Sequence, residues 1–414
     1  MVWYWFGEVE VNGKENIPYG KPCILLPCHQ NGLMDCVTLL AEFEQPITFF
    51  AKSAIFVNNT VCKILAFLRI MPAYRQREGI QHVAKNEENF QKAVDLLLRG
   101  YPFCIMPEGG QREEHRLHPF VKGPFRIAFH TQEKLPKGET VYLLPIGLDY
   151  GHYDRMSYPF VLNIGKPIQV DKYMDLYAEH EGRSLNVLKE DAYNALSMNM
   201  LNIRSQKFYA VFYLSAYLYN YQMLQHLNLQ DNQTNRLKAR QNIVEHLDII
   251  ADTEPQALEH LVSKGDDYLK MYPDFVIISH NYPKQKLYKV LLYIILLFPL
   301  FIYGLALNFI VAIFVFFVNP KLKQSGFSAT VKYVSVLILA PINHLITALI
   351  VGVGTSCCIL ALCIFFTGMP ITIFMGRYIR KLRILKGLCL SKKHKHRIKE
   401  IQGELTNLLK NRTK

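Results

Sequence analysis

Two long stretches without a charged residue, Val290–Val318 and Val334–Met375, constrain this chain more than any other feature. They run to 29 and 42 residues. About 20 apolar residues cross a bilayer, so the second stretch predicts two crossings, with Gly352 or Gly354 at the turn. The first is long for one upright helix and short for two, and Pro299 and Gly304 interrupt it. One tilted helix is compatible with that length. A shallow re-entrant hairpin fits the flanks better, because both are basic and basic loops stay cytoplasmic. Lys284, Lys286 and Lys289 precede the first stretch, and Lys321, Lys323 and Lys332 separate it from the second. A basic tail follows, and all three segments are expected on one side.

Charge follows the same geography. Of the formal +13, residues 377–414 supply thirteen Lys or Arg against two Glu, and residues 319–333 supply three more Lys. The remainder therefore sums to −1. Basicity confined to segments beside apolar stretches fits membrane lipids as a partner, and not nucleic acid. The run Lys392-Lys393-His394-Lys395-His396-Arg397 is accordingly expected on anionic headgroups. Met1–Phe6 is too short for the apolar core of a secretory signal. Trp3 and Trp5, the only tryptophans, suit either the membrane interface or a packed core. The nine cysteines show no metal-ligand spacing, and Cys23, Cys28, Cys36, Cys62 and Cys104 scatter as in a reduced cytosolic domain.

From Val9 to about Val170, strand-like and helical patterns alternate. Strands are expected at Cys23–Pro27, Ile47–Ala51, Phe103–Met106, Val141–Ile146 and Phe160–Ile164. Helices are expected at Leu33–Phe43 and Glu87–Arg99, the latter stopped by Gly100. Such alternation predicts an α/β fold, a sheet flanked by helices. Ser184–Pro283 reads as helical, with a helix over Thr234–Ala251, a cap at Thr253 and a further helix to Leu269. The expected organisation is an α/β domain over 1–205, a helical region over 206–285, membrane helices or hairpins over 286–376 and a basic tail over 377–414.

Within the α/β part, His29 ends an apolar run and Asp35 follows six residues later. Side chains on one regular helix meet at three or four apart, so these two require a bend, for which Gly32 is suited. His29 at a strand end and Asp35 in the next helix's first turn would form a base with an orienting carboxylate. A buried structural hydrogen bond is the alternative for such a pair. Cys28 beside His29 is an unpromising nucleophile, because Cys–His pairs usually join separated segments.

Three further blocks follow. They are Arg69-Ile70-Met71-Pro72-Ala73-Tyr74-Arg75, then Phe103-Cys104-Ile105-Met106-Pro107-Glu108-Gly109-Gly110, then Leu143-Leu144-Pro145-Ile146-Gly147. In this order they closely resemble the glycerol-3-phosphate and lysophosphatidate acyltransferase superfamily, over roughly residues 8–170, with Gly165–Ile168 resembling its closing strand. The resemblance implies acyl transfer from a thioester, acyl-CoA or acyl-carrier protein, to the hydroxyl of glycerol-3-phosphate or 1-acylglycerol-3-phosphate in phospholipid synthesis. It implies His29 as general base, Asp35 as its partner and Arg75 on the acceptor phosphate. Glu108 and Gly109 are implied at the acceptor and Pro145 at the acyl side, with Arg112, Arg116 and Lys122 as further phosphate contacts. The first block holds five intervening residues where the family usually holds four, which resembles some membrane-bound glycerol-phosphate branches. A thioester is already activated, so no metal or other cofactor is expected. The catalytic domain is expected on the cytoplasmic face. An acyltransferase for another lipid acceptor, or a non-catalytic lipid-binding scaffold on the same fold, are the rivals. His115, His118 and His130 are expected to be structural or solvated. Asn308, Asn343 and His344 are expected to hydrogen-bond between membrane helices or to lie near the interface.

Overall fold

A computed structural model describes residues 2–73, 81–271, 287–323, 328–389 and 392–410. The chain divides into two compact units. One comprises Val11–Asp149 and Val161–Met200, and the other Met1–Glu10, Tyr150–Phe160 and Leu201–Lys414.

The first unit is built on a sheet. Its strands are β1 (Val9–Asn12), β2 (Cys23–Pro27), β3 (Thr48–Lys52), β4 (Ile70–Ala73), β5 (Phe103–Cys104), β6 (Tyr142–Tyr150), β7 (Phe160–Ile164) and β8 (Ile168–Gln169). They run in the order β1-β7-β6-β2-β5-β3-β4, with β8 paired to β6. β2 is parallel to β5 and β6, and β3 is parallel to β5 and β4. The C-terminal ends of these five strands therefore share one edge. Every residue of β2 is buried, which explains its unbroken apolar run, since a strand covered on both faces has no solvent side. Helices Leu33–Glu42, Gln81–Leu98, Gly123–Lys134 and Glu181–Ser197 flank the sheet. The last turns Leu185, Leu188, Ala192 and Leu196 inward at helical spacing.

The expected α/β arrangement is present, with local differences. β5 stops at Cys104, two residues short of the expected end, because the Pro107–Gly109 turn follows; Ile105 N–H still donates to Leu25 O (3.1 Å). β6 runs on to Tyr150. In the Gly165–Ile168 segment only Ile168 is in a strand, while Gly165 N–H donates to Pro145 O (2.9 Å).

The second unit is helical. Tyr209–Leu218 is buried along most of its length. The N-terminus of the Gln233–Thr253 helix is satisfied twice over. Asn232 accepts from Asn235 N–H (2.8 Å), and the Glu10 carboxylate accepts from Gln233 N–H (2.8 Å) and Thr234 N–H (2.7 Å). A carboxylate there complements the helix dipole. Thr253 is not the cap expected for the next helix: it ends its own helix, and its hydroxyl donates back to Ile249 O (2.8 Å). Glu254-Pro255 makes the break, and the following helix is Gln256–Met271. Trp5 is buried and packs edge-on against Tyr333 at 5.6 Å, so it belongs to the core.

Two helices, Ser328–Thr355 and Cys358–Lys386, are long and apolar enough to cross a membrane. The turn between them lies at Ser356, in left-handed conformation, and not at Gly352 or Gly354. Gly352 instead serves close packing, since a Cβ there would come within 2.8 Å of Ala361 Cβ on the facing helix. The first apolar stretch is bent by 53° between Leu287–Leu296 and Phe298–Leu307, where Pro299 cannot continue the hydrogen-bond ladder. A separate helix, Phe309–Lys323, follows Asn308.

The polar residues of these stretches bond to one another. Asn308 Oδ1 accepts from Thr372 Oγ1 (2.8 Å) and from His344 Nε2 (3.1 Å), while Asn343 Nδ2 donates to Leu307 O (2.5 Å). Lys332 is committed to protein, since its ammonium donates to Asp154 Oδ2 (2.7 Å).

Candidate functional site

The site is assembled where β2 and β5 end, beside Ile146 of β6. Cys28 N–H donates to Ile146 O (3.1 Å), extending the β2–β6 ladder one residue beyond Pro27. The chain then leaves the sheet at His29, turns through Gly32, and enters the helix Leu33–Glu42. Gly32 has φ 54° and ψ −121°, a region closed to residues with a Cβ. That turn sets Asp35 in the first helical turn, fully buried.

His29 Nδ1 lies 2.9 Å from Asp35 Oδ2. The same oxygen accepts from Gln30 N–H (3.1 Å) and Asn31 N–H (2.9 Å). A carboxylate only accepts, so the imidazole hydrogen sits on Nδ1 and Nε2 carries the lone pair. His29 is 18% exposed while Asp35 is sealed. A buried orienting acid behind a partly open imidazole is suited to taking a proton from a bound hydroxyl.

Glu108 holds this turn from the third block. Its Oε1 accepts from His29 N–H (2.8 Å) and its Oε2 from His118 N–H (3.0 Å). The carboxylate thus joins three chain segments through the backbone. Burial pushes its pKa up to about 7, against the lowering effect of those two bonds. Gly109, at φ 64°, makes the turn that presents it. Two further bonds knit the loop to the first block: Arg112 N–H to His29 O (3.2 Å) and Gln30 Nε2 to Glu114 O (2.8 Å).

Around the loop the cations are partly engaged. Arg112 Nη1 donates to His118 Nδ1 (2.9 Å), and His118 Nε2 donates to Glu114 Oε1 (2.6 Å). Arg116 Nη2 reaches the same Glu114 oxygen at 3.5 Å. Burial, with Arg112 and Arg116 nearby, lowers the His118 pKa despite its bond to Glu114. Lys122 is exposed before the Gly123–Lys134 helix, next to Val121, whose N–H donates to Pro107 O (2.8 Å).

His29, Asp35, Glu108, Gly109, Arg112, Arg116 and Lys122 are thus brought to one neighbourhood. Pro145 is set apart, buried within β6 level with Leu26 and packed beside Gly165. Arg75 lies outside the described residues; β4, which leads to it, ends at Ala73 on the edge shared with β2. His115 is buried 3.9 Å from Asp149, and His130 meets Phe90 edge-on. Cys28 is fully buried, and burial drives its thiol well above the ordinary range, which disfavours the nucleophilic thiolate. Glu114, Gln30 and His118 entered the site without a sequence signal, because their contacts are made across the fold.

The family model described as Acyltransferase matches residues 8–149. That match covers less than half of the chain. Part of this chain aligns with a chloroplastic 1-acyl-sn-glycerol-3-phosphate acyltransferase of Brassica napus, 30% identical over 129 residues, 31% of this chain and 36% of that protein. Its Arabidopsis thaliana counterpart is 27% identical over 129 residues, 31% of this chain and 34% of that protein. Glycerol-3-phosphate O-acyltransferase 2 of Saccharomyces cerevisiae is 31% identical over 112 residues, 27% of this chain and 15% of that protein. The chain therefore spans about a third of the plant relatives' length and less of the yeast one. The crystal structure of the 1-acyl-sn-glycerophosphate acyltransferase PlsC from Thermotoga maritima aligns at 23% identity and a TM-score of 0.33, over 47% of this chain and 74% of that one.

Proposed function

We propose that this protein is a membrane-bound glycerolipid O-acyltransferase. It moves a fatty acyl group from a thioester, acyl-CoA or acyl-carrier protein, to the hydroxyl of glycerol-3-phosphate or 1-acylglycerol-3-phosphate. The observation that carries this reading is the 2.9 Å His29–Asp35 contact, with the same Asp35 oxygen pinned by two backbone N–H groups.

In the proposed step, the acceptor hydroxyl oxygen attacks the thioester carbonyl carbon while His29 Nε2 takes the hydroxyl proton. Asp35 stabilises the resulting imidazolium. The tetrahedral intermediate collapses, the C–S bond breaks, and the imidazolium proton passes to the leaving thiolate. Ester and thiol are the products, with neither metal nor cofactor required. Arg75 pairs with the acceptor phosphate, for which a planar guanidinium fork is suited. Arg112, Arg116 and Lys122 add positive potential beside it. The basic segments flanking the apolar helices support a catalytic domain on the cytoplasmic face.

The test is acyl transfer by the purified full chain, offered each acceptor with each donor in turn. His29→Ala is expected to lose about 10²–10⁴-fold in kcat, and Asp35→Asn to lose activity in the same direction by releasing the tautomer. Transfer to none of the acceptors by wild type, or an unimpaired His29→Ala, would overturn the proposal. Arg75→Ala is expected to raise acceptor KM more than it lowers kcat.

A further inference from the structure

The helix Asn59–Phe67 is anomalous for the sheet unit. Its sequence, Asn-Thr-Val-Cys-Lys-Ile-Leu-Ala-Phe, is largely apolar, yet none of its residues is buried. Ile64, Phe67 and Leu68 lie at i, i+3 and i+4, so they share one face, and all are exposed, Phe67 at 86%. Ile55 and Val57, just before the helix, continue the patch, Val57 at 72% exposed. Single exposed apolar residues are ordinary, but a contiguous patch of large ones marks a surface that something covers.

The helix is well built. Asn58 caps it by accepting from Val61 N–H (2.9 Å), and Arg69 closes it in the left-handed conformation, φ 57°. Phe49 N–H donates to Arg69 O (2.9 Å), fixing the helix end against the start of β3. The patch therefore runs along the β4 flank of the sheet, from the edge where β2 ends towards the opposite edge.

Charge identifies the occupant. Lys52, Lys63 and Arg69 are exposed around the patch, and no Asp or Glu occurs between Gln45 and Ala73. A second copy docked face to face would set three cations against three, which disfavours self-association through this surface. Apolar residues rimmed by cations suit an anionic bilayer surface, into which the rings insert while the ammonium groups stay at the headgroups. The chain also carries two helices long and apolar enough to span a membrane, so a bilayer is covalently within reach. We propose that Ile55–Leu68 is a membrane-docking surface of the catalytic domain, inserting Val57, Ile64 and Phe67 into the phospholipid interface.

The test places the photo-crosslinker p-benzoylphenylalanine at Phe67 of the full chain in phosphatidylcholine–phosphatidylglycerol vesicles. Lys172, exposed beyond β8 on the other side of the sheet, is the control position. Phospholipid adducts at position 67 well above those at position 172 are expected. Equal adducts at both positions, or a cross-link from position 67 to a second copy of the chain, would overturn the proposal. This readout requires no turnover, so its failure is separate from a failure of the proposed activity. In the activity arm, Ile64→Glu with Phe67→Glu is expected to lower the rate on a vesicle-embedded 1-acyl acceptor by about tenfold. The rate on a short-chain, water-soluble acceptor should stay unchanged; equal loss on both acceptors would count against docking.

Discussion

Glu108 shows what a single residue does here. Both of its oxygens are occupied by backbone N–H groups, of His29 and His118, so its first task is to hold the turn that carries His29, the proposed base. It is a positioning residue for His29, whatever it also contributes to an acceptor. Burial raises its pKa from an ordinary 4.5 to about 7. A raised folded-state value means that the folded chain holds this proton more tightly than the unfolded chain does. The stabilisation from Glu108 is therefore complete below about 4.5 and is lost as pH rises through about 7. Thermal melts of the detergent-solubilised chain should show wild type losing stability relative to Glu108→Gln between about pH 5 and about pH 8. A constant difference across that range would contradict the raised value.

At the scale of elements, the β2–turn–helix unit was largely legible from the residues. An apolar run, a glycine and a six-residue His–Asp spacing are local facts, and they sufficed to place His29 at a strand end and Asp35 in a helical turn. What escaped were choices settled by distant partners. Gly352 packs against Ala361 and leaves the turn to Ser356, and Thr253 bonds backward into its own helix. Pro145 reads as a strand-end motif in one dimension, yet parallel pairing puts it level with Leu26, inside the sheet. The engagement of Glu108 by His29 and His118 depends on contacts 79 and 10 residues apart, which no spacing rule announces. Gly32 is where the legible part can be tested. A Cβ at φ 54°, ψ −121° costs on the order of 1–3 kcal/mol. Gly32→Ala should lower the melting temperature and reduce kcat by moving Asp35 away from His29, with little effect on acceptor KM. Among the apolar helices, Asn308 has the corresponding role, joining Thr372 and His344. Asn308→Leu should destabilise the chain by about 0.6–1.7 kcal/mol per lost interhelical bond, read as a lower melting temperature in detergent.

For the molecule as a whole, the decisive question is which segments share a side of the membrane. If Ser328–Thr355 and Cys358–Lys386 both cross, the turn at Ser356 faces one compartment, and both outer ends of the pair face the other. The chain carries its own reporters, since Cys358 is exposed just after the turn and Cys389 is exposed just beyond the second helix. A membrane-impermeant maleimide applied to sealed vesicles of one orientation should label Cys389 or Cys358 but not both, and inverting the vesicles should exchange them. The proposed cytoplasmic catalytic domain requires Cys389 on the cytoplasmic side, together with the thirteen Lys or Arg of residues 377–414. The bent Leu287–Leu307 segment adds a second constraint. Each half is about ten residues, roughly 15 Å of helix at 1.5 Å per residue, about half the hydrocarbon thickness. If the whole Val290–Val318 stretch dips in and returns, as its basic flanks suggest, a cysteine introduced at Lys289 and Cys389 should be labelled from the same side. Labelling of Lys289→Cys from the side opposite to Cys389 would instead make the bent pair a broken span.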